Sequence, residues 1–183
     1  MKTLSRIGLA LASVAAIASF GSLAVTAQVK SNDNKIDIVD NCLPGDPGWT
    51  PTGGCLLNDK QGDVSTAEFF ELLTSPLTIP PNAFLIGHPS WRNEPSHITT
   101  PAGKEVKITN RGGRAHTFTE VAQFGGGRVG LLNIGLSAAP ECSPALTVDL
   151  PPGASTTIAV ADAGLHKFQC CIHPWMRATI RVE

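Results

Sequence analysis

From Lys104 to the C-terminus, the stretches able to form regular structure alternate with a period of two. In KEVKITN (104–110), Val106 and Ile108 face one way and Lys107 and Thr109 the other, and HTFTEV (116–121), LTVDL (146–150), STTIAV (155–160), LHKFQC (165–170) and RATIRV (177–182) continue the pattern. PAG (101–103) and PPG (151–153) separate these runs as turns, and AFLIG (83–87) reads as a further short apolar strand. Strand side chains point alternately to opposite faces, so each run buries one face and wets the other. Such runs with no helical pattern between them predict an antiparallel β-sandwich or small barrel. The 18 Gly, 14 Pro and absence of Tyr suit short strands and turns. QFGGGRVG (123–130) opens a long Gly-rich excursion to Cys142, and its GGG, lacking the strand and helix of a phosphate loop, reads as a flexible turn.

The chain before this region is different in kind. Residues 1–27 have Lys2 and Arg6, an apolar run from Ile7 to Leu23, and small residues Val25 and Ala27 before a cut, the pattern of a secretory signal peptide. Ser13, Ser19, Gly21 and Ser22 break the run, and no later stretch is long and apolar enough to span a membrane. Removing 1–27 leaves 12 basic against 15 acidic residues, a formal charge of −3 that gives no nucleic-acid or polybasic membrane signal. From 28 to 81 the chain is polar and irregular. NCLPGDPGWTPTGGC is a Pro/Gly loop that a Cys42–Cys55 disulfide would staple. Only STAEFFELL looks helical, with Ser65 or Thr66 as cap and Phe69, Leu72 and Leu73 on one face. The acidic residues of SNDNKIDIVD lack the Gly and Glu of a calcium loop and read as a solvated linker. Three segments result: signal peptide 1–27, extension 28–81, and an all-β domain 82–183.

Five cysteines in an exported, oxidising compartment leave one that is free, metal-bound or paired with another chain. In LHKFQC the bulky Phe168 marks the core face, so Cys170 points inward and Cys171 away. RATIRV begins directly after Met176, so 171–176 is a tight loop that carries His173 and Met176 back over Cys170. His116, which follows the turn RGGRA, is the best second imidazole. One thiolate, two imidazoles and a weak axial thioether suit copper that alternates between two oxidation states. Zinc prefers four N/S/O ligands without thioether, adjacent cysteines cannot easily bridge two coppers, and the C-x-x-C-H of attached haem is absent. His88, His97 and His166 read as unrelated histidines rather than a second copper site.

HKFQCCIHPWMRATIRV, with its aromatic two residues before Cys, its C-x-x-H-x-x-M and its final strand, resembles the C-terminal signature of the blue (type 1) copper proteins, the cupredoxins; its loop is most similar to that of the amicyanins. With GGRAHTF the resemblance covers roughly 82–183. It implies an eight-stranded Greek-key sandwich binding one copper through His116, Cys170, His173 and axial Met176. It also implies an electron port at the exposed edge of His173, with a redox partner protein docking near His173, Pro174 and Trp175. Thr117 stands where plastocyanin-like relatives carry an Asn, Cys171 replaces a small polar residue, and 28–81 has no counterpart in the minimal fold. With Cys170 on copper, four cysteines remain and allow three connectivities. Cys42–Cys55 with Cys142–Cys171 is the preferred set, and the second bridge would pin AAPEC over the copper loop. The expected function is one-electron transfer by a periplasmic or extracellular carrier that is not an enzyme. The alternative is a copper-handling or accessory protein whose extension binds a partner.

Overall fold

The protein is described by a computed structural model at residues 34–57, 62–74, 87–133 and 135–183. The proposed signal peptide and all of AFLIG except Gly87 lie outside the described residues. Among the described residues eight strands form: β1 (Lys35–Val39), β2 (Arg92–Glu94), β3 (His97–Thr100), β4 (Glu105–Asn110), β5 (Thr119–Val121), β6 (Ser155–Ala159), β7 (Gly164–Gln169) and β8 (Arg177–Val182). One sheet has the order β2-β1-β4-β6 and the other β3-β8-β7-β5. Their inner faces meet in a single core of Ile36, Ile38, Val106 and Ile108 from the first sheet and Ile98, Phe168, Ala178, Ile180 and Val182 from the second. Burying each large aliphatic or aromatic side chain here contributes about 1.5–3 kcal/mol. The result is the all-β sandwich that alternation implied.

The pairing is mixed rather than wholly antiparallel. β1 runs parallel to β4, with Ile36 opposite Ile108, and β3 runs parallel to β8, with Ile98 opposite Ile180. Tight hairpins enforce antiparallel pairing, whereas strands joined by long crossovers are free to pair either way. The segment 28–81 is not all irregular either. KIDIV is an interior strand with Ile36 and Ile38 fully buried, so the extension supplies part of the sandwich core. LTVDL, by contrast, is no strand. Leu146 and Val148 are exposed, and only Leu150 joins a β-bridge, to His116.

A single α-helix, α1 (Thr66–Thr74), forms among the described residues, in STAEFFELL. Ser65 Oγ accepts the Glu68 N–H at 3.2 Å, which satisfies one of the unpaired donors of the first turn. Phe69 is buried and Leu73 packs on the core, while Leu72 lies exposed on the flank. Among the described residues no helix is long and apolar enough to cross a membrane.

Candidate metal centre

Cys170 follows the last residue of β7, and Arg177 opens β8, so both ends of the loop 170–176 are anchored in one sheet. The loop closes on itself: Cys170 N–H donates to Met176 O, and Met176 N–H to His173 O, both at 2.9 Å. His116 is fixed from another direction. Its N–H donates to Leu150 O and its carbonyl accepts from Leu150 N–H. These elements bring together His116 Nδ1, Cys170 Sγ and His173 Nδ1 at mutual distances of 3.7, 3.8 and 3.2 Å. A point equidistant from three atoms at those separations lies about 2.1 Å from each, at the bond length of metal–imidazole and close to that of metal–thiolate. His116, Cys170 and His173 are the one such converging group of potential ligands among the described residues. Met176 is 1% exposed in the same loop.

The surroundings of Cys170 favour its thiolate. Burial pushes the Cys170 thiol up, but hydrogen bonds and charge from His116 and His173 outweigh it and hold its pKa well below the ordinary thiol value. The backbone N–H groups of Thr117 and His173 also point at Sγ, at 3.4 and 3.5 Å. Burial holds the His173 pKa below its usual value, against the pull of Cys170. For His116, burial acts in the same sense, yet the hydrogen bonds to Asp40 and Cys170 prevail and its pKa is pushed up to about 9.

Asp40 is the residue that sequence reasoning missed. It is 2% exposed and its Oδ2 lies 2.6 Å from His116 Nε2. Burial raises its pKa, but the bond to His116 and the N–H groups of Gly113 and Cys42 keep it below the ordinary carboxylate value. Thr117 fills a different gap. Its Oγ1 accepts the Cys171 N–H at 2.7 Å, tying the His116 segment to the Cys170 loop.

The metal-free protein has a pH dependence of two signs: His116, raised to about 9, loses its stabilising contribution as the pH rises from about 6.5 through 9, while His173 and Asp40 act on the acid side. His173 and Asp40 both have depressed pKa values in the fold, so the unfolded chain binds protons before the native state does as the pH falls. The stability they contribute is therefore present above their unfolded values and lost on acidification, first His173 below about 6.5 and then Asp40 below about 4. The melting temperature of metal-free protein should fall below pH 6.5, and His173→Asn should flatten the first part of that fall.

Two disulfides flank the centre, Cys42–Cys55 and Cys142–Cys171, and Cys170 alone among the cysteines is free. Cys171 turns away from the ligands into a separate apolar cluster with Val121, Ala139 and Cys142. The GGG segment is held rather than loose. Gln169, also fully buried, accepts from Gly125 N–H and donates to Gly125 and Gly126 carbonyls. A Cβ on Gly127 would come within 2.2 Å of Cys171 O, so only glycine allows this approach. The Cys142–Cys171 bridge spans 29 residues, and replacing both cysteines by Ser should cost about 3–4 kcal/mol in denaturant unfolding.

The exposed edge implied for His173 is absent. His173 is 4% exposed and Pro174 is buried. Over the ring stand Trp175, Trp91 and Phe69, with centroids 5.5, 6.4 and 6.5 Å away. Trp175 comes from the loop itself, and α1 adds Phe69 to the same cover. His173 still borders an apolar cavity of about 260 Å³, whose other walls include Trp49, Phe70, Arg114 and Ile172. The remaining histidines have separate partners: His88 faces Glu68, His97 faces Thr179, and His166 bonds Glu120.

No protein-family model matches the chain, and no curated protein matches it in sequence. Among solved structures it is similar to a purple cupredoxin from Nitrosopumilus maritimus, at 18% identity and TM-score 0.40, over 52% of this chain and 86% of that one. It is also similar to amicyanin from Paracoccus versutus, at 21% identity and TM-score 0.35, over 50% and 73% of the two chains. A reduced Cu(I) amicyanin variant at pH 4 gives 22% identity and TM-score 0.35, with coverage of 50% and 73%.

Proposed function

We propose that this chain is an exported type 1 (blue) copper protein of the cupredoxin kind. It would hold one copper through His116 Nδ1, Cys170 Sγ and His173 Nδ1, with the Met176 thioether as a fourth, weaker donor, and carry single electrons. The observation that carries this reading is the convergence of two imidazole nitrogens and one thiolate around a point about 2.1 Å from each, a separation fit for a metal. Copper bound there supplies a couple between Cu(I) and Cu(II). The chain supplies a thiolate kept deprotonated by its neighbours, an anchored loop, and an enclosure in which all three ligands are 4% exposed or less. Such an enclosure would leave the ligands little room to rearrange when bound copper changes charge. Electrons would pass through His173 and the rings over it, and a partner protein would dock beside Trp175 and the rim of the adjoining cavity. Export is supported by the character of residues 1–27 and by two disulfides, which persist in oxidising compartments.

A copper-delivery role would favour ligands open to a receiving protein, and these are enclosed. Voltammetry of the copper-loaded protein with metal analysis before and after separates the two roles. One electron per chain, cycled repeatedly with full retention of copper, is expected of a carrier. Release of copper on each reduction would overturn that reading in favour of delivery.

A further inference from the structure

We propose that Asp40, carried in from the N-terminal segment, is a positioning residue that sets the redox poise of the centre through its hydrogen bond to His116. The inference rests on the copper reading above and adds a residue that neither the copper-loop motif nor the cluster of ligands contains.

The contact is short and dry: Oδ2 to Nε2 is 2.6 Å, and both side chains are 0% exposed. The polar groups bonded to Asp40 are all N–H donors. Gly113 N–H and Cys42 N–H reach Oδ1 at 2.9 and 3.4 Å, and Arg114 N–H reaches Oδ2 at 3.2 Å. Such an environment suits an ionised carboxylate, which accepts and cannot donate. His116 Nε2 therefore donates to Asp40, which leaves Nδ1 as the ring atom that faces Cys170 and His173 and that would bind copper once its own proton is lost. A carboxylate on the far nitrogen of a ligand imidazole fixes its tautomer and orientation and raises its basicity. A more basic nitrogen favours the more highly charged Cu(II), so Asp40 lowers the reduction potential.

Backbone pairing and two glycines make room for this contact. Asp40 lies just past the end of β1, whose parallel pairing to β4 brings Ile38 opposite Asn110 and so directs Asp40 at the turn before His116. That turn admits the carboxylate because residue 112 is glycine: a Cβ there would come within 2.1 Å of Asp40 Oδ2. A Cβ at Gly113 would meet Cys42 and Cys55 sulfurs at 2.7 and 3.0 Å, so the first disulfide is seated against the same turn. The N-terminal segment thus supplies, directly after a core strand, a group that acts on His116.

The test compares copper-loaded wild type, Asp40→Asn and Asp46→Asn by spectroscopic redox titration. The amide introduced by Asp40→Asn retains an oxygen for the Gly113 N–H but offers His116 Nε2 no charged acceptor. Asp46 makes the same acid-to-amide change elsewhere in the segment, where its carboxylate holds the Gly48 and Thr66 N–H groups. Asp40→Asn should raise the Cu(I)/Cu(II) ratio at fixed poise about tenfold, equal to about 59 mV for a one-electron couple, and weaken Cu(II) binding about tenfold or more. Asp46→Asn should leave both unchanged. An unchanged or lowered potential in Asp40→Asn, or an equal shift in Asp46→Asn, overturns the inference. A wild type that forms no thiolate–copper absorption defeats the copper reading instead. Should Asp40→Asn fail to fold, proton NMR of metal-free wild type decides: a far-downfield, slowly exchanging His116 Nε2–H is expected, and its absence rules the contact out.

Discussion

Cys170→Ser leaves a folded protein that has lost all intense visible absorption and binds Cu(II) weakly. Serine fits the space of the thiol, so the sandwich should be retained, with metal-free melting close to that of wild type. What disappears is the charge donor. A buried hydroxyl stays protonated where His116 and His173 favour ionisation of the thiol, and a hydroxyl gives copper no thiolate charge-transfer band. The paired Cys142→Ser/Cys171→Ser variant provides the contrast: full colour, with stability lowered by the missing bridge. Although Cys170 and Cys171 are sequence neighbours, one directly follows a core strand and converges with His116 and His173, and the other sits in a second apolar cluster across the loop. Colour retained in Cys170→Ser would show that the sulfur is assigned to the wrong residue.

Phe69→Ala should carry the largest stability cost of the point substitutions considered, about 3–5 kcal/mol by denaturant unfolding, because truncating a buried aromatic loses its burial and leaves a cavity. Phe69 is 2% exposed and its ring meets Trp91, Trp49 and Trp175 at 4.8, 5.3 and 5.9 Å. The same ring covers His173, so the variant should also be reduced faster by small charged reductants such as ascorbate in stopped-flow mixing. Phe70→Ala, one position along and 45% exposed, should cost under about 1 kcal/mol and leave that rate near wild type. Equal rates in the two variants would mean that α1 does not gate access to His173.

How much of this is legible in the sequence depends on the range of the contact. β4, β6 and β8 follow from alternation because each has one face against the core and one in water. KIDIV alternates too, but it stands among Asn and Asp residues, and only its pairing with β4 reveals that Ile36 and Ile38 are core. LTVDL misleads for the opposite reason: an alternating pattern with no partner strand leaves Leu146 and Val148 in solvent. Cys170 and His173 share one loop, so their spacing is readable locally, and the turn before His116 marks the third member of the cluster. Asp40 acts on His116 across 76 residues of chain, and Phe69 covers His173 from a helix whose amphipathic face is readable but whose docking site is not. Local chemistry is written in spacing. The carboxylate behind the ligand and the aromatic cover over it are set by tertiary pairing.

The most direct measurement adds Cu(II) stepwise to the mature protein while recording visible absorption and electron paramagnetic resonance. The account predicts an intense thiolate-to-copper band that saturates at one copper per chain, with the narrow copper hyperfine splitting of a thiolate-bound site, and reversible bleaching by one electron. A colourless complex, or a signal of ordinary nitrogen- and oxygen-bound copper, would contradict it.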